Sequence, residues 1–171
     1  DWWAVILGGM LLALALVVTG LWGATGDAAN PFRNPLSDFV SKQGSWTAKP
    51  MSALVKGGEY AALIGTAAVF AASLVVFGIG RRAMGDSFGR FAAGFTGVFV
   101  LATLAYVMAG QETVKFYHLG YAMWAIVLGL LVSNTVGTPE FLRPAVQTEF
   151  YIKTGLVLLG AEVLFGKLLE L

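Results

Sequence analysis

The sequence predicts an all-α, polytopic membrane protein that crosses the bilayer with about five helices. Three observations indicate this fold class: long uncharged runs, few charged residues and abundant glycine. Of the 171 residues, 57% are hydrophobic and 12% are charged, whereas an average soluble domain has roughly 25% charged residues. The 22 glycines suit a membrane bundle, in which small residues let helices approach closely and also interrupt them.

The uncharged runs are long enough to span a membrane, which takes about 20 mostly apolar residues. A helix at the surface of a soluble core would show a polar residue every three or four positions, and these runs do not. The first run begins at Asp1 and not at a basic segment, and it is too long for a signal peptide. We therefore expect it to be a span. The runs that contain no Asp, Glu, Lys or Arg are residues 2–26, 60–80, 91–111 and 116–139.

The elements follow from these runs in chain order. Residues 1–58 hold the first helix and a long polar loop, in which Asn-Pro dipeptides mark turns and scattered apolar residues suggest contact with the membrane surface. Residues 59–171 form a four-helix membrane region. Because the sequence does not begin with Met, we expect that it was trimmed or cut from something longer. The predicted helices are residues 3–21, 60–80, 91–110, 119–136 and 147–171.

Basic residues in short loops predict the orientation. The two sides of the predicted bundle carry nearly equal numbers of Lys and Arg, so the totals decide nothing. The loop at residues 81–90 is dense in arginine, with Arg81, Arg82 and Arg90. This density places that loop, and with it the N-terminus, in the cytoplasm of a cell whose inner membrane holds the protein.

Several function classes lack support in the sequence. There are no cysteines, so disulfides, thiolate metal sites and a cysteine nucleophile are excluded. The net charge of +1 gives no basis for nucleic-acid binding, which shows as a clustered basic surface. His118 is the single histidine and has no neighbours to complete a metal site. We expect neither an enzyme nor a cofactor, and we expect the lipid bilayer as a partner.

Glu162 is the first candidate for function because it interrupts an apolar helix. A charge at the centre of a membrane helix costs about 2.5–3.5 kcal/mol on insertion scales, so such residues often mark ion or substrate pathways. A structural pairing or an interfacial position would also explain it. Lys167 lies five residues away, which is poor spacing for a helical pair. We predict that Glu162 faces protein and not lipid.

The second candidate is the polar end of the fourth predicted helix. Gly137 and Pro139 suit an ordinary helix C-terminus, whereas Asn134 and Thr135 fall before the predicted end. These short polar side chains either hydrogen-bond a neighbouring helix or coordinate a small ion. Glycines in the last helix, at Gly155 and Gly160, fit close helix packing better than a direct role in function.

The stretch AIVLGLLVSNTVGTPEFLRPAVQTEFYIKTGLVLLGAEVLFGK, residues 125–167, resembles the YeiH-type family of bacterial membrane proteins, which are regarded as sulfate exporters. The matching elements are LGLLVSNT and YIKTGLVLLGAEVLFGK. The resemblance implies an inverted-repeat secondary transporter with discontinuous helices that moves a small anion such as sulfate or a sulfonate. It also implies that this chain is the N-terminal part of a long member. Its motif positions are Asn134, Thr135, Gly137, Lys153, Gly155 and Gly160.

Two other classes remain open. The chain could be a non-transporting scaffold subunit whose helices only pack against a partner, or a protomer of a small oligomeric channel. In the transporter reading, the partners are a small anion and the remaining helices of the transporter or a second subunit. Asn134, Thr135 and Glu162 are then the pathway candidates.

Overall fold

The computed structural model describes residues 2–22, 44–55 and 60–169, apart from the side chains at 19, 20, 22, 162 and 164–169. Within these ranges all regular elements are helical, so the predicted fold class is confirmed. The residues predicted to form Asn-Pro turns, and the first apolar residues of the long loop, lie outside the described ranges. The elements are α1 (Trp2–Trp22), a 3-10 turn (Pro50–Ala53), α2 (Ala61–Ala83), α3 (Phe88–Ala109), α4 (Glu112–Phe116), α5 (Tyr121–Thr135) and α6 (Thr148–Leu169).

The hairpin of α2 and α3 is long and apolar enough to cross a membrane. The two helices have 23 and 22 residues, which at 1.5 Å per residue is roughly 33–35 Å, against a hydrocarbon core of about 30 Å. Many of their large apolar side chains are exposed, Ile64 and Ile79 among them. A soluble protein would bury such a surface. Helix α5 is also apolar but has only 15 residues.

An aromatic cluster joins α2, α3 and α6. Phe91 and Phe95 of α3 are buried against Ala145, and the Phe77 ring of α2 lies 6.2 Å from the Phe95 ring and 5.0 Å from that of Tyr151. Aromatic pairs at such distances contribute about 0.5–1.5 kcal/mol beyond their buried area. This cluster fixes the start of α6 beside the start of α3.

Helices α1 and α6 run parallel and in close contact. The Thr154 hydroxyl lies 2.9 Å from the Phe150 carbonyl oxygen and 3.3 Å from that of Ala4, and the residue is 1% exposed. One turn further on, a Cβ added to Gly8 would lie 2.8 Å from the Val157 Cβ. The small residue therefore sets the distance between the two helices, as in other membrane helix pairs.

The segment 44–55 is tied to the C-terminal end of α3 by Trp46. Its indole nitrogen donates to the Val107 carbonyl at 2.6 Å, and its backbone N–H donates to the Gly110 carbonyl at 3.2 Å. The last carbonyls of a helix lack partners within the helix. Trp46 supplies two of these partners, and Ala53 in the same segment is buried.

We expect Trp46→Phe to loosen this attachment, because it removes the indole donor and keeps the ring. Losing one such hydrogen bond is worth about 1 kcal/mol. Hydrogen exchange measured on the full-length protein should show faster exchange in residues 44–55. Trp124→Phe is the matched control, since the Trp124 indole nitrogen is buried and has no hydrogen-bond partner in the described part of the chain. Equal exchange in both variants would contradict the attachment.

The structure shifts several predicted helix boundaries. Helix α3 begins at Phe88, before Arg90, and α2 continues to Ala83, beyond Arg81 and Arg82, because a charged residue ends an apolar run without ending a helix. The predicted polar link after α3 contains the short helix α4. The Gln111 side chain caps this helix by accepting a hydrogen bond from the Val114 N–H at 2.8 Å.

Candidate functional site

The site of greatest interest is the connection between α5 and α6. Helix α5 has 15 residues, roughly 22 Å, so it falls short of the about 30 Å hydrocarbon core. Residues 136–147 follow without regular helix. We call these residues the α5–α6 linker.

The linker is seated against the N-terminal half of α3. A Cβ added to Gly94 would lie 2.5 Å from the Phe141 carbonyl oxygen, and one added to Gly97 would lie 2.5 Å from the Leu142 Cδ2. Counted from Phe88, these glycines stand about 9 and 13 Å along the α3 axis. The linker therefore lies beside the membrane-length part of α3 and not beyond its end.

Several polar groups of the linker backbone are hydrogen-bonded. The Ala145 N–H donates to Leu142 at 2.9 Å, the Leu142 N–H donates to Pro139 at 3.0 Å, and the Tyr151 hydroxyl donates to the Ala145 carbonyl at 2.9 Å. Leu142 and Ala145 are buried. Irregular backbone at membrane depth persists only where protein or a water-filled cavity surrounds it, and here α3 and α6 supply one such wall.

Asn134 and Thr135 lie at the last turn of α5 and are exposed. The Asn134 Nδ2 donates to the Leu130 carbonyl and the Thr135 hydroxyl donates to the Leu131 carbonyl, each at 2.7 Å. These bonds stay within α5 and leave the side-chain oxygens as acceptors. Gly137 has a φ of +74°, the left-handed conformation that glycine adopts just after a helix C-terminus.

The predicted residues of α6 lie in different surroundings. Lys153 pairs with Glu149 one turn earlier at 2.5 Å. Gly155 and Gly160 have nothing within 4 Å of an added Cβ, so they face away from α1, and their packing role stays a prediction. The Glu162 backbone is part of α6, but its side chain lies outside the described residues, so its predicted environment is untested.

Sequence reasoning missed the residues that hold the linker and α6 in place. Thr154 follows Lys153 in the IKTG motif, and a hydroxyl beside a glycine in an apolar helix is a signal for an interhelical contact. Gly94 follows Ala92 and Ala93 in the sequence, and only its contact with the Phe141 carbonyl oxygen distinguishes it from the other glycines of α3.

The described chain is a helical membrane protein: its apolar helices are uncovered, and the irregular backbone of the linker packs beside the N-terminal half of α3. Residues 93–171 match the family described as Conserved hypothetical protein 698. A UPF0324 membrane protein of Rhodopirellula baltica is 51% identical over 140 residues, which is 82% of this chain and 25% of that protein. A UPF0324 membrane protein of Nitratidesulfovibrio vulgaris is 54% identical over 95 residues, 56% of this chain and 16% of that protein.

The chain therefore belongs to the family of UPF0324, or YeiH-type, membrane proteins, and the resemblance seen in residues 125–167 is confirmed. It spans a quarter or less of the length of the two relatives described. The match extends beyond the motif segment, since the family profile already begins within α3. No solved structure matches the chain.

Proposed function

We propose that the chain forms the first part of a secondary transporter that moves a small anion, such as sulfate or a sulfonate, across the inner membrane. The observation that carries the proposal is the α5–α6 linker, which lies beside Gly94 and Gly97 at membrane depth. In secondary transporters, irregular backbone held at membrane depth supplies substrate and coupling-ion sites. Membership of a membrane-protein family supports the membrane location, whereas the identity of the substrate is part of the proposal.

The direction of the α5 helix dipole decides which kind of ion Asn134 and Thr135 can contact. A helix C-terminus carries a partial negative charge of roughly half an elementary charge, so the end of α5 repels an anion and attracts a cation. Asn134 and Thr135 add side-chain oxygens that are free to accept, because each side chain bonds its own helix as a donor. In this proposal they contact the coupling cation, and the anion binds at a helix N-terminus or a basic group elsewhere.

The test is radiolabelled sulfate flux by the full-length protein in proteoliposomes. We expect the double variant Asn134→Ala, Thr135→Ala to lose flux by about tenfold or more, since bonds to a charged group are worth about 1.5–3 kcal/mol each. The matched control is Thr96→Ala, which removes an exposed hydroxyl bonded to its own helix at Ala92. Unchanged flux in the double variant, or an equal loss in the control, would contradict this role.

The same assay separates the other classes. A scaffold subunit would keep its flux in Glu162→Gln and in the double variant, whereas Gly160→Leu would abolish assembly. A channel would conduct without saturation and would show single-channel currents. A transporter saturates with substrate and responds to the gradient of its coupling ion.

We also propose that the N-terminus and the arginine-rich turn between α2 and α3 lie in the cytoplasm. The start of α1 contacts α6 through Thr154, and Leu7 of α1 packs against Gly80 near the end of α2. These elements therefore share one end of the bundle, and that end includes Arg81, Arg82 and Arg90. Such clustering is typical of cytoplasmic loops.

Cysteine labelling tests this orientation, since residues 1–171 contain no cysteine. In a background free of other cysteines, Lys49→Cys should react with a membrane-impermeant maleimide added to intact cells. Ser87→Cys, at the opposite end, should react only after permeabilisation. Both residues are exposed, so accessibility to the reagent reports the side of the membrane. The reverse pattern would invert the orientation.

A further inference from the structure

A cleft of about 650 Å³ lies between α2, α3 and the connection from α4 to α5. Its volume falls within the roughly 300–1,000 Å³ of ordinary ligand pockets. It is separate from the α5–α6 linker, which packs on the other half of α3. Its lining includes Thr66, Val69, Phe99, Thr103, Lys115 and His118.

The inner walls of the cleft are apolar. Val69 of α2 faces Phe99 and Ala102 of α3 across it. The two threonines of these walls keep their hydroxyl protons within their own helices, since Thr66 donates to Ala62 at 2.7 Å and Thr103 donates to Phe99 at 2.9 Å. An inorganic anion needs donors to replace its water. The lining residues that keep such donors, Tyr106, Lys115, His118 and Tyr121, lie toward the end of α3, so the inner walls suit a hydrocarbon chain.

The rim of the cleft is basic. Lys115 of α4 and His118, just after that helix, line the end of the cleft beyond the last turn of α3. Neither has an ion-pair partner in the part of the chain that the structure describes. A cleft that is apolar at membrane depth and basic at the aqueous end has the polarity of a phospholipid, and basic pockets between membrane helices bind acidic head groups.

The backbone at His118 gives an independent reason to assign the rim a function. His118 has a φ of +54° and ends α4, with its N–H donating to Lys115 at 2.9 Å and the Leu119 N–H donating to Val114 at 3.1 Å. This arrangement favours glycine at the left-handed position. A histidine in this conformation is uncommon, and residues with unusual backbone conformations concentrate at functional sites. Glycine would fold as well but would lack the imidazole.

We propose that this cleft binds an anionic glycerophospholipid, with an acyl chain along Phe99 and Ala102 and the phosphate at Lys115 and His118. An apolar helix covering the cleft would bury the Lys115 ammonium without a partner, which is unfavourable. A lipid places its phosphate at that position and its chain against the apolar walls. The proposal is independent of the transported substrate.

Native mass spectrometry of the full-length protein tests the ligand class. Phosphatidylglycerol, phosphatidylcholine with the same acyl chains, and glycerol phosphate are added in turn to the delipidated protein. Phosphatidylglycerol should remain bound, phosphatidylcholine should bind roughly tenfold more weakly because its head group has no net charge, and glycerol phosphate should not bind. Equal binding of glycerol phosphate would indicate a free-anion site and overturn the proposal.

Substitutions in the cleft test where the lipid binds. Lys115→Gln combined with His118→Gly should reduce phosphatidylglycerol retention by about tenfold, and the glycine suits the left-handed backbone conformation, so a loss of folding is not expected. Ala102→Phe should fill the groove and reduce retention of both lipids. Lys49→Gln removes an exposed charge at the same end but outside the cleft and should retain lipid. Unchanged retention in the first two variants, or no lipid bound by the unmodified protein, would overturn the assignment.

Discussion

Replacement of Gly94 by alanine should destabilise the protein by about 2–3 kcal/mol, near the upper end of the cost of overpacking. The added Cβ would lie 2.5 Å from the Phe141 carbonyl oxygen and 3.0 Å from the Ala145 Cβ. A backbone oxygen cannot rotate away as the end of a side chain can. The linker must therefore move off α3, which also disturbs the buried Ala145 and its bond from Tyr151.

Two further glycines of α3 form a graded control series. A Cβ at Gly97 would meet the Leu142 side chain, which can shift, so Gly97→Ala should cost less. Gly89 has nothing within 4 Å of an added Cβ, and Gly89→Ala should be neutral or stabilising by up to about 1 kcal/mol through helix propensity. Unfolding of the full-length protein in mixed micelles with increasing SDS measures all three. Equal effects at Gly94 and Gly89 would show that the linker is not seated on α3.

The series also links the fold to the proposed transport. If the linker lines the pathway, Gly94→Ala should reduce sulfate flux even in the fraction that remains folded, because the displaced segment carries Phe141 and adjoins the end of α5. Gly89→Ala should leave flux unchanged. A loss of stability with normal flux in the folded fraction would make the linker purely structural.

The helical membrane fold follows from the sequence because it depends on composition over some 20 residues, a length set by the bilayer. The uncharged runs locate α2 and α3 but misplace the ends of these helices. Arg81 and Arg90 were assigned to a loop, whereas each lies in a helix. Hydropathy measures where the bilayer ends, and hydrogen bonding decides where the helix ends.

Candidate site residues were harder to predict because their roles depend on tertiary contacts. Gly137 could be located just after α5 from local rules for helix termini, and the structure places it there. No local pattern predicts that Gly94 receives the Phe141 carbonyl or that Thr154 approaches Ala4. Those contacts join residues far apart in the chain. Glu162 and the two outward-facing glycines of α6 depend on surfaces beyond those described.

The ion pair of Arg81 and Asp86 should respond in opposite ways to removal of its two members. Arg81 is 9% exposed at the end of α2, its Nε has no hydrogen-bond partner in the described part of the chain, and its guanidinium pairs with Asp86 in the turn to α3. Removing one member of a buried pair leaves an uncompensated charge and costs about 3–5 kcal/mol. Because the Asp86 side chain is 44% exposed, we expect about 2 kcal/mol for Asp86→Asn, reduced by solvent screening.

Arg81→Met should be neutral or slightly stabilising, since it removes the desolvated charge and fills the site with an apolar chain of similar length. The remaining Asp86 carboxylate is partly exposed and can be hydrated. The double variant Arg81→Met, Asp86→Asn should therefore regain the stability that Asp86→Asn loses, as measured by unfolding in mixed micelles. Arg82→Met is the control, because this neighbouring arginine is exposed and its loss should change stability by about 0.5 kcal/mol or less. If Arg81→Met were as destabilising as Asp86→Asn, the ion pair would be a net source of stability, which would contradict this prediction.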